Sequence, residues 1–238
     1  MWEIMRIQKY LSKTWVCSRR KAEEYIKTWQ IKINGVMAKI WQSIEEWKDK
    51  IELWNKLIKE QKKLLYYKIN KPRWVITTCA EYWDKNIIDI INIKERVFPI
   101  WRLDKESTGL ILLTNDGRLT NYLTHPKYNH KKEYVVEVFW PIKDIQIKRL
   151  SEPMYILWSK IKKVEIKRIS SSKFYIILTE WKNRQIRRMV EKVWAKVKKL
   201  KRIRIENIVL WKMEIGEYKH LSKWEIDELF KKLGIKKN

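Results

Sequence analysis

The sequence predicts an α+β protein, with a small N-terminal helical domain followed by a larger domain built on a sheet. Residues 6–12 and 18–28 carry apolar side chains at helical spacing, and Ser18 is placed to cap the second helix. Residues 31–33 alternate as a strand and meet Asn34-Gly35, a strong hairpin signal. Beyond residue 64 strand-like runs dominate, so we expect a mixed, largely antiparallel sheet flanked by helices.

Four runs in the predicted larger domain are rich in β-branched and aromatic residues, namely 64–70, 134–139, 164–169 and 174–179. Two further helices are expected, over residues 183–193 and from Ser222 to about Lys232. The first has an apolar stripe at spacings i, i+3, i+4 and i+7. Residues 55–63 are mainly polar and charged. We therefore predict domains at 1–54 and 64–238, joined by a linker at 55–63.

The charge of the chain indicates a polyanionic partner. Its 54 Lys and Arg residues outnumber 28 Asp and Glu residues, which gives a net charge of +26 over 238 residues. Such an excess opposes compaction unless a polyanion binds, so nucleic acid is the first candidate and an anionic membrane the second. No apolar run approaches the roughly 20 residues of a spanning helix. The first six residues lack the apolar core of a signal peptide, so we expect a cytoplasmic protein.

The cysteine and histidine residues do not suggest a metal site. Cys17 and Cys79 are far apart and form no CxxC pair, and the three histidines (125, 130 and 220) are not at metal-ligand spacing. No cofactor-phosphate loop is recognisable, which argues against a methyltransferase. We expect neither a metal nor a small-molecule cofactor.

Tryptophan is unusually frequent and glycine is scarce. There are 15 Trp and 5 Gly, whereas average usage would give roughly 17 Gly, close to the two types combined. Several tryptophans, such as Trp29, Trp54 and Trp181, stand where a turn is expected and where Gly reaches positive φ without steric cost. We hypothesise that most are glycines in the natural product, through a codon that the source organism reads as Gly. The alternative is a Trp-rich protein, and the intact mass of the native protein separates the two.

Residues 97–117 are the most informative stretch of the chain. They combine a strand, a polar loop holding Arg102 and Asp104, and a buried apolar run. A carboxylate two residues from an arginine, in a loop anchored by apolar flanks, can be held ionised and directed into a cleft. Taken alone, a surface ion pair produces the same pattern more often.

In full, this stretch resembles the signature of the RsuA/RluB/RluF family of ribosomal RNA pseudouridine synthases, which reads Gly-Arg-Leu-Asp, then Gly-Leu, then Thr-Asn-x-Gly. Residues 97–117 match it except that Trp101 stands where the family has Gly. Residues 70–73, 132–136 and 182–189 match further family motifs in order, and residues 6–50 resemble its small N-terminal αL RNA-binding domain. Nine tryptophans fall at positions where the family usually has Gly, which supports the recoding hypothesis: 15, 29, 41, 74, 101, 140, 181, 194 and 211.

The resemblance implies roles for four residues. Asp104 resembles the catalytic aspartate that cleaves the glycosidic bond, so that uracil can rotate and reattach through carbon five. Tyr134 resembles the tyrosine that stacks on the flipped uracil, and Arg187 the basic residue that pairs with the carboxylate. Arg102 resembles the loop arginine that fills the place of the flipped base. From the residues alone, an ordinary strand aromatic is the simpler interpretation of Tyr134, and the alternative for Arg187 is a solvated charge on its helix.

A second group of residues is expected to bind RNA. The second helix opens with Arg19-Arg20-Lys21, although the dipole at a helix N-terminus prefers anions. This placement favours a surface that grips phosphate, and the alternative is a solvated polar face. The residues expected to contact RNA are Arg6, Lys9, Ser18, Arg19, Arg20, Lys21, Lys32, Asn34, Arg184 and Arg188.

Together these features predict an enzyme that isomerises a uridine in ribosomal RNA, and the resemblance implies that it acts as a monomer. Extruding a base costs a few kcal/mol, which phosphate contacts of a basic domain can offset. Residues 98–100, 104–107 and 197–200 resemble the RluF-like branch of the family, which implies large-subunit RNA as the substrate. The rival interpretation is a non-catalytic ribosome-binding factor that contacts ribosomal RNA through its basic domain.

Overall fold

The computed structural model describes residues 4–14, 16–58, 63–80, 83–125 and 128–235. The chain divides into two compact units, residues 1–64 with 115–117 and residues 65–114 with 118–238. Both contain helices and strands, so the predicted α+β class is confirmed.

The smaller unit begins with two helices and continues with short strands. Its elements are β1 (Ile4–Arg6), α1 (Ile7–Lys13), α2 (Arg19–Lys27), β2 (Ile31–Ile33), β3 (Val36–Met37), β4 (Ser43–Glu45), β5 (Ile51–Leu53) and β6 (Lys56–Leu57). The strand order is β3-β2-β5-β6, and β1 pairs separately with β4. Side chains of both helices pack with those of the sheet in one core, among them Leu11, Ala22, Ile26 and Ile31.

Local sequence signals account for these elements. The Ser18 hydroxyl accepts a hydrogen bond from the Lys21 backbone N–H at 3.1 Å, as expected of an N-cap. Asn34 and Gly35 have φ values of 52° and 82° and close the predicted hairpin. Part of the predicted linker at 55–63 has regular structure, because Lys56–Leu57 forms a strand that pairs with β5. Trp54 and Asn55 both have positive φ and reverse the chain there. Residues 59–62 lie outside the described residues.

A nine-stranded mixed sheet organises the larger unit. Its elements are β7 (Tyr66–Lys71), β8 (Phe98–Ile100), β9 (Thr108–Thr114), α3 (Gly117–Thr124), β10 (Lys132–Val138), α4 (Asp144–Ser151), β11 (Met154–Ile156), β12 (Ser159–Ile161), β13 (Glu165–Ser170), β14 (Lys173–Leu178), α5 (Gln185–Lys192), β15 (Val197–Ile205), β16 (Ile208–Val209), β17 (Tyr218–His220) and α6 (Lys223–Leu233). The strand order is β13-β14-β10-β15-β9-β7-β17, with β16 beside β15 and β8 beside β9. The β15–β9 pairing is parallel, and the neighbouring pairs are antiparallel.

Strand β9 is buried on both faces. Ile111 and Leu113 belong to the core that contains Met189 of α5, whereas Leu110 and Leu112 belong to the core that contains Phe230 of α6. A strand covered on both faces reads as a continuous apolar run, as residues 110–113 do. The loop that enters β9 is therefore anchored in the centre of the unit.

Many tryptophans have a left-handed backbone. Among the described residues, eight have φ between 51° and 67°: Trp29, Trp41, Trp54, Trp74, Trp101, Trp158, Trp194 and Trp211. A bulky side chain is rarely found there, because this conformation costs roughly 1–2 kcal/mol for any residue with a Cβ. Six of the eight are positions where the resemblance implies Gly. Trp15, another such position, lies outside the described residues. This geometry supports the hypothesis that Gly occupies these positions in the natural product.

We predict that Trp194→Gly raises the free energy of unfolding by about 1 kcal/mol. Trp194 directly follows the C-cap of α5, where Gly is the preferred residue, and its side chain is 91% exposed, so little packing is lost. The matched control is Trp224→Gly, which removes another exposed indole from inside α6 and should lower stability by up to about 1 kcal/mol. Urea unfolding measures both. A Trp194→Gly variant no more stable than the parent would contradict the strain argument.

Candidate active site

The loop between β8 and β9 carries Arg102 and Asp104 and is held by hydrogen bonds on both sides of the carboxylate. The Thr77 hydroxyl donates to the Leu103 carbonyl at 3.0 Å and accepts from the Leu103 N–H at 3.3 Å. The Ser107 N–H donates to the Asp104 carbonyl at 3.0 Å and closes a turn. The backbone around Asp104 is therefore fixed by contacts within the loop and to a separate segment.

Lys71 lies beneath this loop and ties it to β7. Its fully buried ammonium donates to the carbonyls of Pro72 and Ser107, both at 2.8 Å, and approaches that of Lys105 at 3.4 Å. Burial lowers the pKa of Lys71 to about 8, an effect that Asp104 opposes and Arg202 reinforces. A charge-assisted donor in the interior thus restrains the segment that presents Asp104.

Gly109 allows the loop to approach β15 closely. Its φ is +105°, and a Cβ at this position would lie 2.2 Å from the Arg202 carbonyl oxygen. This contact belongs to the parallel pairing of β9 with β15. No other residue type fits here without displacing backbone, which accounts physically for this glycine of the motif.

Two arginines at the start of α5 face the Asp104 carboxylate. Arg184 Nη1 lies 3.6 Å and Arg187 Nε 3.8 Å from Asp104 Oδ2. Arg187 is buried, and it also donates to the Ser107 hydroxyl at 3.3 Å and lies 3.6 Å from Glu106 Oε2. Burial lowers the pKa of Arg187, and the nearby Glu106 and Asp104 carboxylates oppose this. Its Nε forms an ion pair with Asp104 but no hydrogen bond.

Asp104 opens onto a cavity of about 440 Å³. Buried Tyr134 on β10 and buried Leu200 on β15 line the same cavity, together with Ile76 and Leu178. Such a volume suits a small ligand the size of a nucleotide, and the mixture of apolar walls and few polar groups is typical of binding sites. Asp104 is about one-third exposed, so its carboxylate can reach a ligand while Arg187 supports it from behind.

The structure brings together the residues predicted for chemistry. Asp104 and Tyr134 line one cavity, Arg187 lies within ion-pair distance of Asp104, and exposed Arg102 lies at the edge of the cavity. Arg184, predicted to bind RNA, also lies beside Asp104. Their catalytic and binding roles remain predictions.

The other residues predicted to bind RNA have mixed surroundings. Arg6, Lys9, Arg19, Arg20 and Lys21 are exposed on the smaller unit. Ser18 caps α2, Lys32 donates to the Asn55 side chain at 3.0 Å, and Arg188 donates to the Asn183 side chain at 3.0 Å.

Asn34 is explained without an RNA contact. Its amide nitrogen donates to Asp49 at 2.7 Å, and its oxygen accepts from the Lys50 N–H at 2.8 Å. Both ends of the amide therefore serve the turn.

Three residues at the site were not predicted from the sequence. Lys71 stands in the Asn-Lys-Pro-Arg motif but was given no role, and Thr77 carried no signal. Arg202 is fully buried opposite Tyr134 on the neighbouring strand, and its Nε donates to the Leu110 carbonyl at 2.7 Å. Arginine in a strand ordinarily indicates a solvent-facing position, so periodicity alone does not reveal it.

Two further findings concern metal sites and membrane-spanning helices among the described residues. Within the described ranges, no group of three or more His, Cys, Asp or Glu side chains is arranged to hold a metal ion. Nor does that part of the chain contain a helix with the length and apolar character needed to cross a membrane.

A carboxylate supported by arginines at the wall of a nucleotide-sized cavity is an arrangement typical of an enzyme active site. The chain belongs to the RNA pseudouridylate synthase family, whose characteristic domain matches residues 65–192. It is therefore an RNA pseudouridine synthase, an intramolecular isomerase.

The relatives extend over nearly the whole chain. The dual-specificity RNA pseudouridine synthase RluF of Escherichia coli (strain K12) is 39% identical over 229 residues, which cover 95% of this chain and 79% of that protein. The ribosomal large subunit pseudouridine synthase B of Bacillus subtilis (strain 168) is 34% identical over 234 residues, covering 94% and 95%. A crystal structure of a pseudouridylate synthase superposes with a TM-score of 0.70 at 25% identity, covering 94% of this chain and 99% of that one.

We predict that Lys71→Met lowers kcat by about 100-fold, because the Asp104 loop loses its tether and misplacement by about 1 Å can cost this much. RNA affinity should stay within about threefold, since a buried lysine offers no phosphate contact. The matched control is Lys68→Met on the same strand. It breaks an ion pair in which Lys68 Nζ lies 2.6 Å from Glu225 Oε1, and neither residue lines the cavity. Single-turnover kinetics and filter binding measure both effects. An unchanged kcat in Lys71→Met would show that the tether does not position the loop.

Proposed function

We propose that this enzyme converts a uridine of large-subunit ribosomal RNA to pseudouridine and that Asp104 is its essential carboxylate. The observation that supports this most directly is the placement of Asp104 at the cavity wall, with Arg184 and Arg187 within 3.6 and 3.8 Å of one of its oxygens. The large-subunit specificity named for the Bacillus subtilis relative favours the same class of RNA.

The reaction rearranges atoms already present in the nucleotide. The bond from N1 of uracil to C1′ of the ribose breaks, the base rotates, and C5 forms a new bond to C1′. The proton on C5 is then lost while N1 gains one. Asp104 acts at the sugar, either by attack on C1′ or by taking a proton from the ribose. Both roles require a carboxylate, and the guanidinium groups of Arg184 and Arg187 lie within ion-pair distance of it.

The residues around Asp104 have complementary roles in this proposal. Tyr134 forms an aromatic wall on which the extruded uracil stacks, with Leu200 and Leu178 completing an apolar surround. Because its partners fix Arg187 in the interior, it supports the carboxylate without moving toward solvent. Arg102 is exposed at the edge of the cavity and takes the place that the uracil leaves in the RNA stack.

Binding of RNA supplies the free energy for base extrusion. Unstacking costs a few kcal/mol, and each phosphate contact made by Lys or Arg releases counterions. The exposed cations of the smaller unit, including Arg19 and Arg20, contribute such contacts in this proposal. Binding should accordingly weaken as salt concentration rises.

We predict that Asp104→Asn abolishes pseudouridine formation, lowering the rate by at least about 1,000-fold, because the amide cannot act as a charged nucleophile or base. The control Glu106→Gln removes the other carboxylate near Arg187 and should reduce the rate by no more than about tenfold. Ribosomal RNA that lacks the modification is incubated with each protein, and pseudouridine is mapped chemically. Conversion by Asp104→Asn would refute the role of Asp104. Conversion by neither wild type nor variant would favour a binding factor instead.

We predict that Trp101→Gly increases kcat/KM by about tenfold, the equivalent of about 1.4 kcal/mol. Trp101 directly precedes Arg102 and has a left-handed backbone, with φ of 55°. In this proposal its indole crowds the side from which RNA approaches. Trp211→Gly is the control, because it relieves the same backbone strain at an exposed position that does not line the cavity of Asp104. Steady-state kinetics on one RNA compare them. Equal gains in both variants would attribute the effect to stability and contradict the crowding argument.

A further inference from the structure

A second cavity adjoins the one that contains Asp104. Its volume is about 590 Å³, and Arg102, Trp181 and Lys182 line both cavities. Arg102 therefore lies between two recesses, each of a size that suits a nucleotide. The target uridine occupies the first recess in the proposed function and leaves the second without an occupant.

Cationic and aromatic side chains dominate the lining of this second cavity. Its cations outnumber Glu180, the carboxylate among its described lining residues. The aromatic side chains are those of Trp101, His125, His130 and Trp181, of which the two histidines remain if glycine stands at positions 101 and 181. The positively charged side chains are those of Arg102, Lys132, Lys162 and Lys182. Recognition of single-stranded RNA combines these two features, since cations bind phosphates and aromatic rings stack on bases.

Lys132 is a buried cation in the lining of this cavity. Its side chain is 3% exposed, and its Nζ lies 4.6 Å from the ring centroid of Trp101. Among the described residues, no carboxylate forms an ion pair with it. Burial lowers the pKa of Lys132 to about 8, with Arg202 adding to the effect and Glu206 and Glu180 opposing it. A desolvated ammonium beside an open cavity is stabilised when an anion enters, and the anion that RNA carries is phosphate.

His130 presents a fixed aromatic ring to the same cavity. Its Nε2 lies 2.9 Å from the Tyr122 carbonyl oxygen, and its Nδ1 lies 3.4 Å from Glu206 Oε1. The rings of Tyr128 and Trp101 pack against it at centroid distances of 5.7 and 5.9 Å, and glycine at position 101 would uncover the side that Trp101 now occupies. Since both nitrogens already have partners, the ring is held in place and offers a contact surface rather than a hydrogen-bonding group. Such a ring suits the packing of a nucleobase.

We propose that the second cavity receives the nucleotide adjacent to the target uridine, with its phosphate bound by Lys132 and Lys162 and its base packed against His130. This inference rests on the proposed function, because the uridine must occupy the first cavity for its neighbour to reach the second. The ligand is an unpaired RNA nucleotide. Two extruded nucleotides, on either side of Arg102, then define the substrate. Glycine at positions 101 and 181 would widen the cavity and leave its cations and His130 in place.

The test uses an RNA hairpin that carries the uridine mapped with wild-type enzyme. Abasic nucleotides replace each neighbour of that uridine in turn. At one of the two positions, loss of the base should raise KM by about tenfold, as expected for loss of a base–aromatic stack. The same substitution at the other position should change KM by less than about twofold.

Protein variants assign the effect to this cavity. Lys162→Ala should raise KM about fivefold and reduce the dependence of binding on salt by about one phosphate contact. The matched control is Lys163→Ala, whose lysine is 71% exposed, lies 3.5 Å from Glu152 and does not line the cavity, so KM should stay unchanged. His130→Ala should raise KM on intact RNA but not on the sensitive abasic RNA. Thermal unfolding checks that this variant folds.

Three outcomes are informative. A higher KM for one of the two abasic RNAs and for Lys162→Ala, with Lys163→Ala unchanged, supports the second nucleotide site. If wild type forms pseudouridine but neither abasic RNA nor Lys162→Ala differs from its control, the second site is refuted while the synthase proposal stands. If no RNA is converted at all, the proposed function fails and the inference that rests on it is overturned as well.

Discussion

The position of Asp104 depends on one buried ammonium. Lys71 donates from the end of β7 to the carbonyl of Ser107 in the loop and to that of its neighbour Pro72, and it approaches the Lys105 carbonyl at 3.4 Å. Because the ammonium is buried, a shift of the loop that breaks these hydrogen bonds would leave a buried charge without partners, which is costly. The Thr77 hydroxyl and the close contact at Gly109 then restrain the same loop from two further directions. The site is thus built from backbone contacts before any side chain meets RNA.

Buried cations recur around this loop. Lys71, Lys132, Arg187 and Arg202 are all less than one-tenth exposed, and burial lowers the pKa of each. Interior charges of one sign are costly unless something compensates them. The negative charge of Asp104 offsets part of this cost, and a polyanion that binds at the cavity would offset more. The local excess of positive charge therefore lowers stability in the free protein and favours binding of RNA, in keeping with the net charge of +26.

Local signals in the sequence predicted local structure. The cap at Ser18, the Asn34-Gly35 turn and the stripe of α5 depend on neighbours in the chain, so the pattern contains the information. Strands of two or three residues, such as β6, are too short to show periodicity. Only the family resemblance predicted that Asp104, Tyr134 and Arg187 lie at one site. Lys71 and Arg202 escaped because their partners, Ser107 and Leu110, are distant in sequence and because such residues usually face solvent.

The eight left-handed tryptophans have a consequence for obtaining the protein. Three lie in the smaller unit and five in the larger, and at about 1–2 kcal/mol each they represent roughly 8–16 kcal/mol of unfavourable backbone energy. An ordinary domain has only about 5–15 kcal/mol of net stability. A host that inserts indole side chains at these sites would therefore produce a less stable protein than one that inserts glycine. A synthetic gene with glycine codons at the same sites is the sensible starting point for biochemistry.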